Sequence, residues 1–445
     1  MSLARRLRSK ILTLMFDPRL IRSKRWLIEA RRRLSGKRHV VSVFLQIDDP
    51  YSYILSHYLP SLAKQYDIEL RLYLSEAEGE DFQPEPLLLA EYSIADCIRL
   101  ARELGIPFLD KGSLPPTEYR VGISDAVAAE FGTDRFDDVL KQALEVFWRG
   151  DTAAAAGLSQ AENTSGKALA LIEKSQRLLR KLGHYNSAML HYGGEWYWGV
   201  DRLHYLTQRL TQTGLAARDS PDARLESIQQ AMRVSLPIKP PVAARNLPPI
   251  EYFHSFRSPY SYLALPRILE IADAFGIEVK VRPVLPMVMR GMKVPLRKLL
   301  YIANDTCREA ARRNLPFGKI ADPVGVGAER CLAVYCYAES EHRGREFALN
   351  AGAAIWSEAI DVSTDKGMRK LSGRSALFWP DVKDAMENDE WRPVIDANRE
   401  SMMDSGLWGV PTVRMGEFIV WGQDRDWILF RHLEELCDTG DGIIV

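Results

Sequence analysis

The sequence is short of cysteine, has no excess of either charge and contains no long apolar run. Its 445 residues hold five cysteines, Cys97, Cys307, Cys331, Cys336 and Cys437. They are odd in number and never spaced as CxxC, which argues against a disulfide framework, a cysteine-rich zinc site or a dithiol redox centre. The expected compartment is therefore a reducing one, the cytoplasm. Lys+Arg and Asp+Glu both total 59, so the formal net charge is zero. Without a chain-wide basic field, nucleic acid is not expected as a partner. The apolar runs fall short of the roughly 18 residues that a membrane-spanning helix requires. HExxH, GxxxxGK[ST] and GxSxG are missing, and Gly325-Val326-Gly327 lacks the third glycine of a dinucleotide loop. The eight histidines show no metal-ligand spacing with the cysteines, and no metal is expected.

What is present is ordinary globular material, 46% hydrophobic and 27% charged. The length suits two large domains or about three of average size. The zero net charge hides an asymmetry. Residues 1–40 carry thirteen Lys and Arg against only Asp17 and Glu29, a local charge of +11. Leu7, Ile11, Leu14, Met15, Leu20, Trp26 and Leu27 give this basic N-terminal extension a helical, amphipathic pattern. Its apolar run ILTLMF is too short for a signal peptide, and no small-residue cleavage site follows. Two readings stand: an amphipathic helix at an anionic membrane or acidic partner, or a basic helix docked on the acidic body of its own chain or a second copy.

Comparison of the chain with itself reveals a repeat. VSVFLQIDDPYSYILSHY (41–58) matches IEYFHSFRSPYSYLALPR (250–267), with Pro50-Tyr51-Ser52-Tyr53 over Pro259-Tyr260-Ser261-Tyr262 at an offset of 209. The strand-like IELRLYL from Ile68 matches IEVKVRP from Ile277 at the same offset. Tyr92, Asp96, Arg99, Pro107 and Phe108 then pair with Tyr301, Asp305, Arg308, Pro316 and Phe317. Later the register drifts: Trp198-Gly199-Val200-Asp201-Arg202 pairs with Trp421-Gly422-Gln423-Asp424-Arg425 at an offset of 223.

The repeat predicts two similar domains, 41–215 and 249–440. Residues 216–248 form a linker, whose proline-rich stretch LPIKPPVAARNLPP (236–249) reads as an extended connector. Each unit begins with an alternating strand, a turn and a helix at Pro-Tyr-Ser-Tyr. A second strand, a helical block and a strand pair with a final helix follow. This grammar is α/β: two tandem thioredoxin-like domains, each with an inserted helical subdomain.

FHSFRSPYSYLA (253–264), KLLYIANDTCREAARRNLPF (298–317) and GVPTVRMGEFIVWGQDR (409–425) together resemble a known group. It comprises the 2-hydroxychromene-2-carboxylate isomerases and kappa-class glutathione transferases, relatives of the DsbA-like thioredoxin proteins. The resemblance covers essentially all of 249–440, with the first copy a degenerate one. It implies a glutathione-dependent isomerase or transferase whose partner is a small electrophile derived from an aromatic compound. In that chemistry the glutathione thiolate adds to an electron-poor double bond. A non-catalytic tandem binding or scaffold protein is the alternative reading. A DsbA-type disulfide oxidoreductase is disfavoured, because Ser258 and Ser261 stand where two cysteines would be needed.

The resemblance also implies roles for particular residues. Ser258, the catalytic candidate, would donate a hydrogen bond to the glutathione thiolate at a helix N-terminus, where free N–H groups favour an anion. Ser258-Pro259 is equally a helix cap followed by a first-turn proline, and the two roles are compatible. Pro411 is cis by resemblance, with the Val410 backbone facing the cysteinyl part of the tripeptide as an added strand; an ordinary trans turn is the alternative. Gln423 and Asp424 would hold the γ-glutamyl end, although Asp424 also suits a helix-dipole or Arg425-pairing role. Lys298 is the remaining ligand-binding candidate, against a solvated helical lysine. Tyr301, Asp305 and Arg308 persist in both copies and read as structural.

The first copy departs from this pattern. Asp49, Ala188 and Leu89 stand at the positions of Ser258, Pro411 and Lys298. A carboxylate where a thiolate would sit is repulsive, by about 4 kcal/mol for two charges at about 4 Å and an effective dielectric near 20. The first domain is therefore not expected to use glutathione.

Overall fold

The computed structural model describes residue 13 and residues 18–79, 81–160, 167–217 and 222–438. The chain divides into two compact units, one of Lys24–Arg233 and one built on Val234–Val445. Most of the expected extension before residue 18 lies outside the described residues.

Helix α1 (Pro18–Leu34) enters the N-terminal unit at Lys24 and is followed by strand β1 (Val40–Leu45), helices α2 (Pro50–Ser56) and α3 (Leu59–Gln65), and strand β2 (Glu69–Leu74). A helical block follows, α4 (Pro86–Leu104), α5 (Thr117–Ala129), α6 (Phe136–Trp148), α7 (Thr152–Gln160) and α8 (Lys167–Leu182). Strands β3 (Met189–Tyr192) and β4 (Glu195–Trp198) and helices α9 (Leu203–Gln212) and α10 (Ala223–Ala231) complete it. The sheet order is β2-β1-β3-β4, with β1 parallel to β2 and antiparallel to β3. As an inner strand, β1 is apolar on both faces, and Val41, Val43, Phe44 and Leu45 are buried. In the helical block, α6 buries Phe136, Val139, Leu140, Ala143, Leu144 and Phe147, the single face of an amphipathic helix.

The C-terminal unit repeats the plan. Strand β5 (Ile250–His254), helix α11 (Pro259–Phe275) and strand β6 (Val279–Pro283) lead into α12 (Leu296–Arg312), α13 (Val326–Ser340), α14 (Gly344–Trp356), α15 (Asp365–Arg374), α16 (Trp379–Glu387) and α17 (Trp391–Asp404). Strands β7 (Thr412–Met415) and β8 (Phe418–Trp421) and helix α18 (Asp426–Asp438) close it. The order β6-β5-β7-β8 and the strand directions match those of the first sheet.

The same polar contacts recur at equivalent places. Tyr51 Oη donates to Asp96 at 2.8 Å, and Tyr260 Oη to Asp305 at 2.9 Å. Tyr53 Oη donates to the Pro107 carbonyl, and Tyr262 Oη to the Pro316 carbonyl. The Gly199 amide donates to the Ala188 carbonyl, and the Gly422 amide to the Pro411 carbonyl. The recurring Tyr-Ser-Tyr and Asp positions thus fasten α2 and α11 to the helical blocks of their units.

One expectation needs correction. The linker expected over residues 216–248 is not a linker throughout. Helix α10 lies within them and joins the N-terminal unit, burying Ile228 and placing the Arg224 guanidinium over the Tyr58 ring. A short 3-10 turn, Val242–Asn246, follows the prolines. Asp222 caps α10 by accepting from the Arg224 amide, a local signal that the nearby prolines obscured. No helix among the described residues is long and apolar enough to cross a membrane. Among the described residues there is no cluster of three or more His, Cys, Asp or Glu suited to a metal ion.

Candidate functional site

The site in the C-terminal unit begins with the turn after β5. Ser258 is extended at φ −94°, and its Oγ accepts from the Ser261 amide at 3.1 Å, capping α11. Pro259 occupies the first turn, where its missing N–H costs nothing. Beneath it, Tyr252 Oη donates to the Ser261 carbonyl at 2.8 Å. Ser258 itself is half-buried.

Strand register gathers the other candidates. Phe253 on β5 is paired with Thr412 on β7, and Thr412 with Trp421 on β8. The carboxyl end of β5, the amino end of β7 and the carboxyl end of β8 are therefore neighbours. Ser258, Val410, Pro411, Gln423 and Asp424 all emerge at this end of the sheet. The Val410–Pro411 peptide is cis. Pro411 is buried and Val410 half-buried. Gly409 precedes them because a Cβ there would lie 2.7 Å from the Trp421 ring.

Gln423 is 2% exposed, and neither its Oε1 nor its Nε2 has a hydrogen-bond partner. A buried amide left unsatisfied is uncommon and calls for an explanation, of which a bound ligand or water is one. Its backbone is fixed, since Arg313 donates to the Gln423 carbonyl at 2.8 Å. Ser255 Oγ and both ring nitrogens of His254, in the same turn region as Ser258, are likewise buried without partners. Burial lowers the His254 pKa to about 3, so the ring is neutral. Asp424 is half-buried, with Arg425 Nη1 3.5 Å from its carboxylate. Lys298 lies in the first turn of α12, and desolvation lowers its pKa to about 8. By contrast Asp305 is buried between Tyr260 and Arg308 and faces structure.

Two further cations belong to this end of the sheet and were not singled out from the sequence. Arg290 Nη2 donates to the Trp408 carbonyl at 2.8 Å, two residues before Val410. Arg257, next to Ser258, forms a bidentate pair with Asp322 at 2.9 and 3.2 Å. A signal for the first existed: residues 279–304 contain no Asp or Glu, while Arg290, Lys293, Arg297 and Lys298 follow closely.

The equivalent place in the N-terminal unit is filled from within. Asp49 accepts from the Tyr51 amide at 3.2 Å, the Ser52 amide at 3.1 Å and Ser52 Oγ at 2.6 Å. Ser187, which precedes Ala188 as Val410 precedes Pro411 in the C-terminal unit, also donates to this carboxylate. Ala188 beside it is buried, with φ +53°. Desolvation outweighs these bonds and raises the Asp49 pKa to about 6. A carboxyl whose pKa is raised on folding stabilises fully below its unfolded value near 4, and that contribution is lost as pH rises through about 6. Asp49→Asn is therefore expected to gain melting temperature relative to the parent chain as pH is raised from 4 to 7, followed by scanning calorimetry. A difference independent of pH would contradict the raised pKa.

Fold and site together define a thioredoxin-like unit with serines in place of the paired cysteines. Residues 249–432 match the family model of the DSBA-like thioredoxin domain, and the C-terminal half contains such a domain. Among curated proteins, the chain is similar to 2-hydroxychromene-2-carboxylate isomerase of Pseudomonas putida, at 22% identity over 42% of this chain and 95% of the relative. The enzyme of the same name from Pseudomonas sp. (strain C18) is 21% identical over 40% of this chain and 87% of the relative. A solved structure of 2-hydroxychromene-2-carboxylate isomerase aligns with a TM-score of 0.39 and 20% identity, covering 43% of this chain and 97% of that one.

Proposed function

We propose that the C-terminal unit is a glutathione-dependent isomerase or transferase acting on a small, electrophilic, aromatic-derived substrate in the cytoplasm. The observation that carries this reading is the Gln423 amide, buried with its full hydrogen-bonding capacity unused at the sheet end where Ser258 and Val410-Pro411 meet. It is a place for a polar ligand, and the donors and acceptors around it fit a tripeptide. Glutathione would supply a nucleophilic thiol there. Ser258 Oγ and the first N–H groups of α11 favour an anion at the helix N-terminus. The Val410 backbone offers an edge for the cysteinyl residue. Gln423 and Asp424 suit the two ends of the γ-glutamyl group, and Lys298 suits a carboxylate. Without paired cysteines this site has no route to dithiol exchange.

On the same reading the two units are tandem copies and the first is degenerate. The shared strand order and recurring tyrosine contacts support the duplication. Asp49, held by Ser52 and Ser187, supports loss of ligand binding in the first copy, which then serves as a structural or binding module. Calorimetric titration of the full chain with glutathione tests both parts. The expected result is one saturable site per chain, weakened by Gln423→Leu and unaffected by Asp49→Asn. Absence of saturable binding would leave the non-catalytic scaffold reading in place. Two equivalent sites would overturn the degenerate-copy reading.

A further inference from the structure

The basic extension is not absorbed by the chemistry above, and its described helix has two different faces. The inward face of α1 is fixed to the N-terminal unit. Arg25 makes a bidentate pair with Glu195 at 2.7 and 2.9 Å. Ile28 packs so closely on Gly194 that a Cβ there would meet its Cδ1 at 2.9 Å. Glu29 is held by Arg32 and Arg33, which keep its pKa at about 2. Docking thus accounts for the face that carries Arg25 and Ile28, and the bonds of Glu29 stay within the helix.

The outward face is apolar along its middle. Trp26 is 69%, Leu27 60% and Leu34 90% exposed, and Leu20 is half-exposed on the same line. Leu20, Leu27 and Leu34 are seven residues apart, which keeps them within about 40° of each other around the helix. Exposed cations border this row: Lys24 and Arg31 on one side, Arg22 and Arg33 on the other beyond Trp26. Of these cations Arg33 is bonded to Glu29 of the same helix.

We propose that this outward face of α1 lies in the interface of an anionic lipid bilayer. An apolar row carrying tryptophan, with flanking Lys and Arg, is the pattern of a helix lying in the membrane plane. Its leucines enter the acyl boundary, and its long cationic side chains reach back to the headgroups. Charge complementarity selects this occupant. An isologous contact with a second copy would bring the same cations face to face. Nucleic acid would use the cations but gain nothing from the apolar row. Residues 1–17, of which only Thr13 is described, continue the composition with Arg5, Arg6, Arg8 and Lys10 among Leu7, Ile11 and Leu14.

Flotation of the full chain with vesicles tests the proposal. The protein is expected to float with phosphatidylcholine vesicles containing about one-third phosphatidylserine, and not with phosphatidylcholine alone. High salt, which shortens the Debye length from about 10 Å at 0.1 M to about 3 Å at 1 M, releases it. The triple variant Trp26→Ser, Leu27→Ser, Leu34→Ser is expected to stay at the bottom of the gradient with an unchanged circular dichroism spectrum. The double variant Lys24→Gln, Arg31→Gln lowers partitioning by roughly an order of magnitude or more, at about fivefold per cation. No flotation of the parent chain at low salt overturns the proposal. So does flotation that the triple variant leaves unchanged, which would assign the attraction to another surface. A mass change in light scattering that depends on this face, with no vesicle binding, would identify a second copy as the occupant and equally overturn it.

Discussion

Asp305→Ala is expected to destabilise the C-terminal unit by about 3–5 kcal/mol, the range for removing one partner from a buried charge pair. Asp305 is fully buried and accepts from Tyr260 Oη at 2.9 Å and Arg308 Nη2 at 3.0 Å. Truncation leaves a guanidinium and a phenol facing each other across an apolar gap. Asp305→Asn keeps an acceptor and should lose less. Urea unfolding followed by circular dichroism measures the difference, and the two units make a biphasic curve the expected form. A loss under about 1 kcal/mol for the alanine variant would mean that water satisfies these groups.

Ser258→Ala is expected to separate chemistry from fold. Loss of the cap costs only about 1 kcal/mol, so the variant remains folded. A hydrogen bond to a charged group contributes about 1.5–3 kcal/mol, so kcat/KM with glutathione should fall by about 10- to 100-fold. The pKa of bound glutathione's thiol should rise by about one to two units for the same reason. Ultraviolet titration of the thiolate reads the second effect without needing the natural substrate. An unchanged thiol pKa together with unchanged turnover would remove Ser258 from the chemistry and leave it as a helix cap.

Much of the architecture was legible because it rests on local pattern. The alternation of Val41, Val43 and Leu45 and the Ser258-Pro259 start of α11 depend on neighbours within a few residues. The constant offset between Tyr51, Asp96 and Tyr260, Asp305 marked contacts that the structure then placed at matching distances. Helix α10 was missed because proline content was weighed over a stretch in which the helix itself holds none. Arg290 was missed because its partner, the Trp408 carbonyl, is 118 residues away.

By itself, the sequence determined the absence of paired cysteines at the helix start, the recurrence of Pro-Tyr-Ser-Tyr with Asp49, Ala188 and Leu89 at the places of Ser258, Pro411 and Lys298, and the concentration of cations in residues 1–40. These are statements of residue identity and spacing, and no tertiary contact alters them. Only the tertiary structure decided that Gln423 is buried with its amide unsatisfied, and that Ser187 reaches the carboxylate of Asp49. It also decided which face of α1 is held by Glu195 and which remains outside. Each of these depends on residues far apart in the chain meeting across a sheet end or a helix face, where desolvation and the geometry of the partner set what a side chain can do.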